Sequence, residues 1–197
     1  TGDITLSGAG GLDTGAEAAS TWYAVWAIGK TDGTTHVLLS ASFTAPTMPT
    51  GYTLKRLVGA VYNDAGSDFD KFECQGTGPD RDFLWPDNDR TINTYAATRN
   101  TTAAVQTLGA SHAPAVAKAA LAWFGGVMGT GGGQDVYVID KNPNATGRIV
   151  MSTPASGRLA AATWVNLDGT LAFDYKDGLA NDWSSLNVRC YGFRIEI

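Results

Sequence analysis

The alternation of apolar and polar residues along the chain predicts short strands separated by turns. Residues 22–28 form an aromatic and β-branched run, residues 36–42 form a second apolar run, and an Asp-Gly pair lies between them. Because Asp-Gly tolerates the positive φ of a tight turn, this pattern predicts a β-hairpin. Residues 52–62 predict the next strand, and Gly59 within it marks a β-bulge.

The end of the chain carries the clearest period of two. Phe193, Ile195 and Ile197 alternate with charged residues, which predicts a strand whose apolar side chains are buried in the core. Residues 113–124 are rich in alanine, and alanine favours a helix by intrinsic propensity. Their neighbours read as strands, however, and we interpret this segment as a strand as well.

Turn-forming residues divide the rest of the chain. Residues 44–51 contain two prolines and predict an extended connector, since proline has no amide to donate to a sheet. Asp168-Gly169 predicts a hairpin turn between two further strands. Residues 76–93 predict a long loop with a short strand near 83–85, and residues 125–133 predict a glycine-rich loop. Further strands are expected at 69–75, 102–108, 135–140, 147–152, 158–167 and 170–175.

About ten short strands without a convincing long helix predict an all-β fold, a sandwich or a barrel. We expect one domain over residues 1–197, with residues 1–20 as an extended N-terminal arm. The composition agrees, because 24 of the 197 residues are glycine and only 17% are charged. The sequence begins at Thr1 rather than at a methionine, and we expect a trimmed or excised chain.

The charge and hydropathy exclude two classes of partner. The net charge is −5 and no basic run stands out, whereas nucleic-acid binding requires a basic face that neutralises phosphates. A transmembrane helix needs about 20 consecutive apolar residues, and the sequence has no such stretch. We therefore expect no nucleic-acid partner and no insertion into a membrane.

The side chains that usually carry chemistry are sparse. Cys74 and Cys190 are predicted to be buried thiols in strands, with a single disulfide between them as the alternative. His36, His112 and the two cysteines do not have the spacing of a zinc site. The sequence also contains no Gly-x-Ser-x-Gly motif, which would supply the nucleophilic serine of a hydrolase. The sequence therefore predicts no metal site, no cofactor and no catalytic residue.

Acidic residues leave two alternatives open. Paired carboxylates can hydrolyse glycosides, although aspartates in a polar loop more often form turns facing solvent, which is the interpretation we prefer here. Residues 64–70 slightly resemble a calcium loop but have no closing glutamate. The aspartates that could form such a glycoside-hydrolysing pair are Asp80, Asp82, Asp87, Asp89, Asp177 and Asp182.

Two tryptophans lie in polar surroundings, Trp85 within LWPDND and Trp183 within ANDWSS. An exposed indole beside Asp and Asn side chains is typical of a sugar-binding site, because the ring supplies apolar area and the polar groups supply hydrogen bonds. The candidate binding residues are therefore Trp85, Asp87, Asn88 and Trp183. The alternative is that these rings seal the sandwich or a subunit interface. Three tryptophans in apolar strands are predicted to be core residues: Trp22, Trp26 and Trp123.

Residues 10–59 carry a longer pattern, GGLDTG, TWY, DGT, LLS and then APTMPTGYTLKR with a following glycine. This pattern resembles a domain that recurs in tailed-bacteriophage virion proteins of the tail-fibre or head-fibre kind. The resemblance implies a jelly-roll-like antiparallel β-sandwich, commonly a homotrimer, exposed on the surface of the virion.

Such a protein would serve host attachment or capsid decoration, with other virion proteins and host cell-surface polysaccharide as partners. The resemblance carries over no catalytic residue, so we expect no enzyme. The alternative interpretation is a carbohydrate-binding module of a secreted protein.

Overall fold

The computed structural model describes residues 2–76, 79–86, 90–95, 104–128, 134–139, 148–153, 158–177 and 183–197. These residues form thirteen strands and no helix, so none of them builds a helix that could cross a membrane. The predicted all-β class is confirmed, and the strand pairings whose register is described are antiparallel.

The strands, in chain order, are β1 Thr21–Gly29, β2 Thr35–Ser40, β3 Leu54–Asn63, β4 Glu73–Gln75, β5 Asp80–Leu84, β6 Arg90–Tyr95, β7 Ala104–Thr107, β8 Ala119–Met128, β9 Gln134–Ile139, β10 Arg148–Thr153, β11 Arg158–Asn166, β12 Ala172–Asp177 and β13 Trp183–Glu196.

The chain divides into two compact units, whereas the sequence was interpreted as one domain. Unit 1 comprises Thr1–Lys71, Thr77–Arg81 and Ile197, and unit 2 comprises Phe72–Gly76 and Asp82–Glu196. Each unit is described by itself.

Unit 1 is built on a three-stranded sheet in the order β2-β1-β3. The predicted hairpin is confirmed. β1 and β2 pair with Trp26 opposite Leu38, and the Lys30 amide donates to the Thr34 carbonyl across the turn at 2.9 Å. The bulge is also confirmed, because the register between β1 and β3 shifts beside Gly59.

Both faces of this sheet are covered by irregular segments. On one face Ala24, Trp26, Ile28 and Leu38 form a buried cluster against Met48 of the proline-containing connector and against Phe43 and Tyr52, which flank it. On the other face Tyr23 and Leu39 pack with Leu12 and Ile4 of the N-terminal segment. A three-stranded sheet thereby buries both faces without a second sheet.

The N-terminal segment is docked on unit 1 rather than extended as an arm. The Leu39 amide donates to the Gly11 carbonyl at 2.8 Å, and the Asp13 amide donates to the Leu39 carbonyl at 2.8 Å. Leu12, between these two bonds, is only 3% exposed. The segment therefore satisfies part of the edge of β2 and adds a side chain to the core.

Unit 2 is a β-sandwich. One sheet has the order β11-β8-β13-β5-β4, with β6 also paired to β13, and the other has the order β10-β9-β12-β7. The inner faces meet at Phe124 of the first sheet, whose ring centroid lies 6.2 Å from those of Phe173 and Tyr175 in the second. All three rings are fully buried.

The last strand is the central element of unit 2. Phe193 and Ile195 are 0% exposed, which confirms the core strand predicted from their alternation, while Ile197 is half-buried just beyond the end of β13. The alanine-rich segment also forms a strand from Ala119 onward, and this strand is paired with β11 on one side and with β13 on the other.

Three predicted elements differ from the structure. Asp168 makes a turn and its carboxylate accepts the Thr170 amide at 2.8 Å, but β11 and β12 on either side lie in different sheets, so the turn closes no hairpin. Residues 125–128 continue β8 instead of beginning a loop. Residues 76–93, predicted to hold one short strand, contain β5 and the start of β6.

Candidate functional site

Trp85 is not the exposed ring that the sequence suggested. The residue is 4% exposed, and its ring centroid lies 5.8 Å from that of the buried Phe193. The guanidinium carbon of Arg90 lies 3.7 Å from the centroid of the same ring. The expectation of exposure is wrong for Trp85, and its position fits the alternative in which the ring seals the sandwich.

The side chains of the other three predicted binding residues lie outside the part of the chain that the structure describes. Asp87 and Asn88 lie outside the described residues, and Trp183 is described only as the first backbone position of β13, not as part of a loop. A binding role for these three residues therefore stays a prediction.

The two cysteines are free thiols in different environments. Cys74 on β4 is exposed, contrary to the expected burial, whereas Cys190 on β13 is 0% exposed as expected. The Cys190 thiol donates to the Gly192 carbonyl at 3.2 Å, and burial raises the pKa of this thiol from 9.0 to about 12. The thiol is therefore protonated at neutral pH and is a poor nucleophile.

The segment that slightly resembles a calcium loop forms a turn. The Asp64 carboxylate accepts the Gly66 amide at 2.7 Å and the Asp68 amide at 3.0 Å, which is the geometry of an Asx turn. Across the part of the chain that the structure describes, no three His, Cys, Asp or Glu side chains come together as a metal site.

A group of aromatic and charged side chains lies on the outer surface of the larger sheet of unit 2. Alternate residues of β8 and β13 point into the sandwich, as Phe124 and Val188 do, so the residues between them face outward. We call this surface the outer aromatic face; it consists of Trp123, Trp164, Arg189, Tyr191, Arg194 and Asp82.

One half of the outer aromatic face is centred on Trp123. The rings of Trp123 and Tyr191 are nearly parallel, at 16°, with centroids 5.8 Å apart, and the Arg189 guanidinium carbon lies 5.4 Å from the Trp123 centroid. A Cβ placed on Gly125 would overlap the Trp123 ring. The ring therefore lies along the strand, over the position where glycine has no side chain.

The other half is centred on Trp164. The guanidinium carbon of Arg194 lies 4.6 Å from the Trp164 centroid, and two nitrogens of the same group donate to the Asp82 carboxylate at 2.6 and 3.0 Å. The side chains of Arg194 and Asp82 are 34% and 26% exposed. A bidentate pair fixes the orientation of the guanidinium while both groups still reach solvent.

Trp123 was expected in the core, and its observed position corrects that expectation. Trp26 is buried as expected and Trp22 is half-buried, but Trp123 is half-buried on the outward side of β8. The signal was available in the sequence, because Phe124 follows Trp123 directly and only one of two adjacent strand residues can face the core.

Unit 1 has a concave surface on its sheet. An open depression of about 470 Å³ is lined by Ala27, Thr35, His36 and Val37. The exposed His36 ring makes an edge contact with Tyr52, with the centroids 5.9 Å apart. His36 is thus an exposed residue of β2.

Comparison with known protein families finds no family model that matches this chain. No curated protein matches it either.

Proposed function

We propose that this chain is a structural protein of a bacteriophage virion, exposed at the surface as a fibre, spike or head decoration. It acts by non-covalent adhesion to the host and catalyses no reaction. One observation carries the proposal: the residues that make the sequence resemble phage fibre domains are the residues that hold unit 1 together.

Asp13 is the clearest example. Its carboxylate accepts the Ser40 hydroxyl at 2.7 Å, the Thr47 amide at 2.8 Å and the Thr14 amide at 2.8 Å. The motif segments GGLDTG, LLS and APTMPT therefore converge on one side chain. The spacing between these segments allows them to meet at Asp13 in the folded unit. The resemblance therefore covers a folded unit and not scattered positions.

The connectivity of unit 2 supports the same proposal. If the strands β6 to β13 are numbered one to eight, one sheet contains the order 1-8-3-6, which is β6-β13-β8-β11. The other sheet has the order 2-7-4-5, which is β7-β12-β9-β10. We infer from this order that unit 2 is a jelly roll, an architecture used in viral capsid and lectin domains. Because one fold hosts many functions, this order supports the proposal without being able to carry it alone.

The proposal includes a homotrimer, and the oligomeric state tests it. Light scattering on the purified chain should give a mass of about 62 kDa for three copies of the 20.6 kDa chain. A stable monomer at micromolar concentration would contradict the proposal.

The second candidate function is a carbohydrate-binding module, and the outer aromatic face is the observation that favours it. Such a module would be a monomer of 20.6 kDa that binds polysaccharide. Mass and binding measured together therefore separate the two candidates.

A further inference from the structure

We propose that the outer edge of β11, the side that faces away from β8, is a docking site for a second copy of this chain. The second copy adds its own β11 in antiparallel register, and two six-stranded sheets join into one across a two-fold axis. This contact differs from the proposed trimer, because a two-fold pairing joins copies in twos. The inference therefore goes beyond the proposed function and does not rest on it.

β11 is the last strand of its sheet and is paired on one side only. Its nine residues, Arg158–Asn166, are in register with β8 without a shift, and within the described residues no strand pairs with its other side. In an antiparallel sheet every second residue of such a strand directs its amide and carbonyl away from the sheet. These groups form a template for one more strand.

Several other sheet edges carry protections that β11 does not have. The N-terminal segment covers the edge of β2, where the Gly10 amide donates to the Val37 carbonyl at 2.8 Å. β3 has a bulge and the exposed charged residues Lys55 and Arg56. β4 and β7 are only three and four residues long. β11 is long and regular by comparison, so its edge can accept a full-length partner strand.

The residues of β11 permit a close approach by a second strand. Residues 159–167 contain no charged residue and no proline. Ala160 and Ala162 are exposed on the outward side of the sheet, and their methyl groups take up little space beside the edge. Charged side chains and proline are what keep edge strands apart in other proteins. Nothing in residues 159–167 therefore opposes pairing.

A second copy fits this edge because β11 is complementary to itself. The midpoint of the strand is Ala162, so antiparallel pairing centred there engages the full length of both strands. It places Ala162 opposite Ala162, and Ala160 of each copy opposite Trp164 of the other, a small side chain against a large one. Arg158 is the one charged residue in the sequence of the strand, and its two copies fall at opposite ends. No like charges are opposed.

The small size of the contact sets its strength. One pair of strands buries less than about 1,200 Å², the lower end for a stable protein interface, so we expect association at about 0.1–1 mM and not at micromolar concentration. The trimer expected at micromolar concentration is then unaffected. Neighbouring copies held on one particle have an effective concentration of roughly 1 mM, which is sufficient to form this contact.

Light scattering over a range of concentrations provides the test. The mass of the wild-type chain should rise between about 10 µM and about 1 mM toward twice its value at the lower concentration. Ala162→Lys should keep the lower mass throughout, because two lysines then face each other across the axis. A wild-type mass that does not change with concentration would overturn the inference.

Opposite charges at Ala162 identify the contact as a pairing of two copies. Ala162→Glu should also keep the lower mass, whereas an equimolar mixture with Ala162→Lys should associate again. Because Ala162 is exposed, both variants should unfold at the wild-type temperature. Glu73→Gln is the matched control: it changes the charge by one unit at the opposite edge of the same sheet and should associate like the wild-type chain. Failure of the mixture to associate, or loss of association in the control, would overturn the assignment to β11.

Disulfide crosslinking locates the axis. Opposed residues of an antiparallel pair lie within the Cα separation that a disulfide spans. With oxidised glutathione as the oxidant, Ala162→Cys in a Cys74→Ser background should crosslink copies about tenfold faster than the wild-type chain. The exposed Cys74 of the wild-type chain reports random collisions. Equal rates would overturn a pairing centred on Ala162.

The failure of this inference and the failure of the proposed function give different results. The trimer is judged from the mass at micromolar concentration, and the β11 contact from the rise in mass that the Ala162 variants abolish. A trimer whose mass does not depend on concentration keeps the proposed function and overturns the β11 contact. A monomer that doubles in mass at high concentration supports the β11 contact and contradicts the trimer.

Discussion

At Asp13 a single carboxylate connects the N-terminal segment, the end of β2 and the connector that follows it. Three donors reach its two oxygens, from Thr14, Ser40 and Thr47. Asp13→Ala removes these acceptors and leaves one hydroxyl and two amides without their partner. We expect the free energy of unfolding to fall by about 1–3 kcal/mol, measured by urea denaturation.

The matched control for Asp13 is Asp68→Ala, since Asp68 is an exposed aspartate of the same unit. Its variant should unfold within about 0.5 kcal/mol of the wild-type chain. Equal losses for the two variants would mean that the contacts of Asp13 do not stabilise unit 1.

The thiols of Cys74 and Cys190 are expected to differ in reactivity. At pH 8 a thiol-reactive disulfide reagent should modify the exposed Cys74 at once and Cys190 only after denaturation, because burial raises the pKa of Cys190 to about 12. Cys74→Ser is the control and should show no fast reaction. Two fast thiols per native chain would contradict the described burial.

The raised pKa of Cys190 also sets a direction for stability at alkaline pH. The folded chain favours the neutral thiol, so this contribution is complete below the ordinary pKa of 9.0 and declines as the pH rises toward about 12. The difference in free energy of unfolding between the wild-type chain and Cys190→Ala should shrink over that range.

The tryptophans show what sequence could predict about single residues. Trp26 was expected in the core because it lies in an apolar strand, and it is buried. Trp85 was expected to be exposed from its polar neighbours, yet its ring is covered by Arg90, which is five residues away on the next strand. Local polarity describes the neighbours along the chain, whereas burial depends on the neighbours in space.

At the scale of elements, the N-terminal segment acts as a cover for the sheet of unit 1. Leu12→Ala, at a position 3% exposed, should lower the free energy of unfolding by about 2–4 kcal/mol, measured by urea denaturation. Leu6→Ala is the matched control, because Leu6 is 59% exposed and should change little. Similar small effects for both leucines would restore the interpretation of this segment as an extended arm.

Two glycines test how closely the elements of unit 2 approach. A Cβ on Gly192 would overlap the Phe83 carbonyl oxygen of the neighbouring β5, whereas a Cβ on Gly169 meets no atom within 4 Å. Gly192→Ala should therefore destabilise the chain by about 1–3 kcal/mol in thermal unfolding. Gly169→Ala should be neutral or slightly stabilising, and a reversed order would contradict the β5–β13 packing.

Elements were predictable where the local pattern was clear, as in the two apolar runs around the Asp-Gly turn of the first hairpin and in the alternation along β13. The Asp168 turn was predicted correctly as a turn and wrongly as a hairpin. The hydrogen bonds of the Asp168 carboxylate reverse the chain locally, but they do not determine which strand pairs with β12. That choice depends on contacts of β12 with β7 and β9, which are distant in sequence.

At the scale of the whole molecule, the sequence predicted the all-β class but not the division into two units. Period-two patterns and turn residues are the same in a small covered sheet and in a sandwich, so they do not reveal which strands share a core. The motif that resembles phage fibre domains ends near Gly59, within unit 1. The end of the motif near Gly59 was therefore the sequence feature that could have indicated two units.

The proposed location at the virion surface is tested most directly by labelling particles. Antibody against the purified chain, detected with gold in the electron microscope, is applied to phage particles released from the host that encodes the chain. The account predicts gold at regular positions on the particle surface. Gold confined to the soluble fraction, with unlabelled particles, would contradict it.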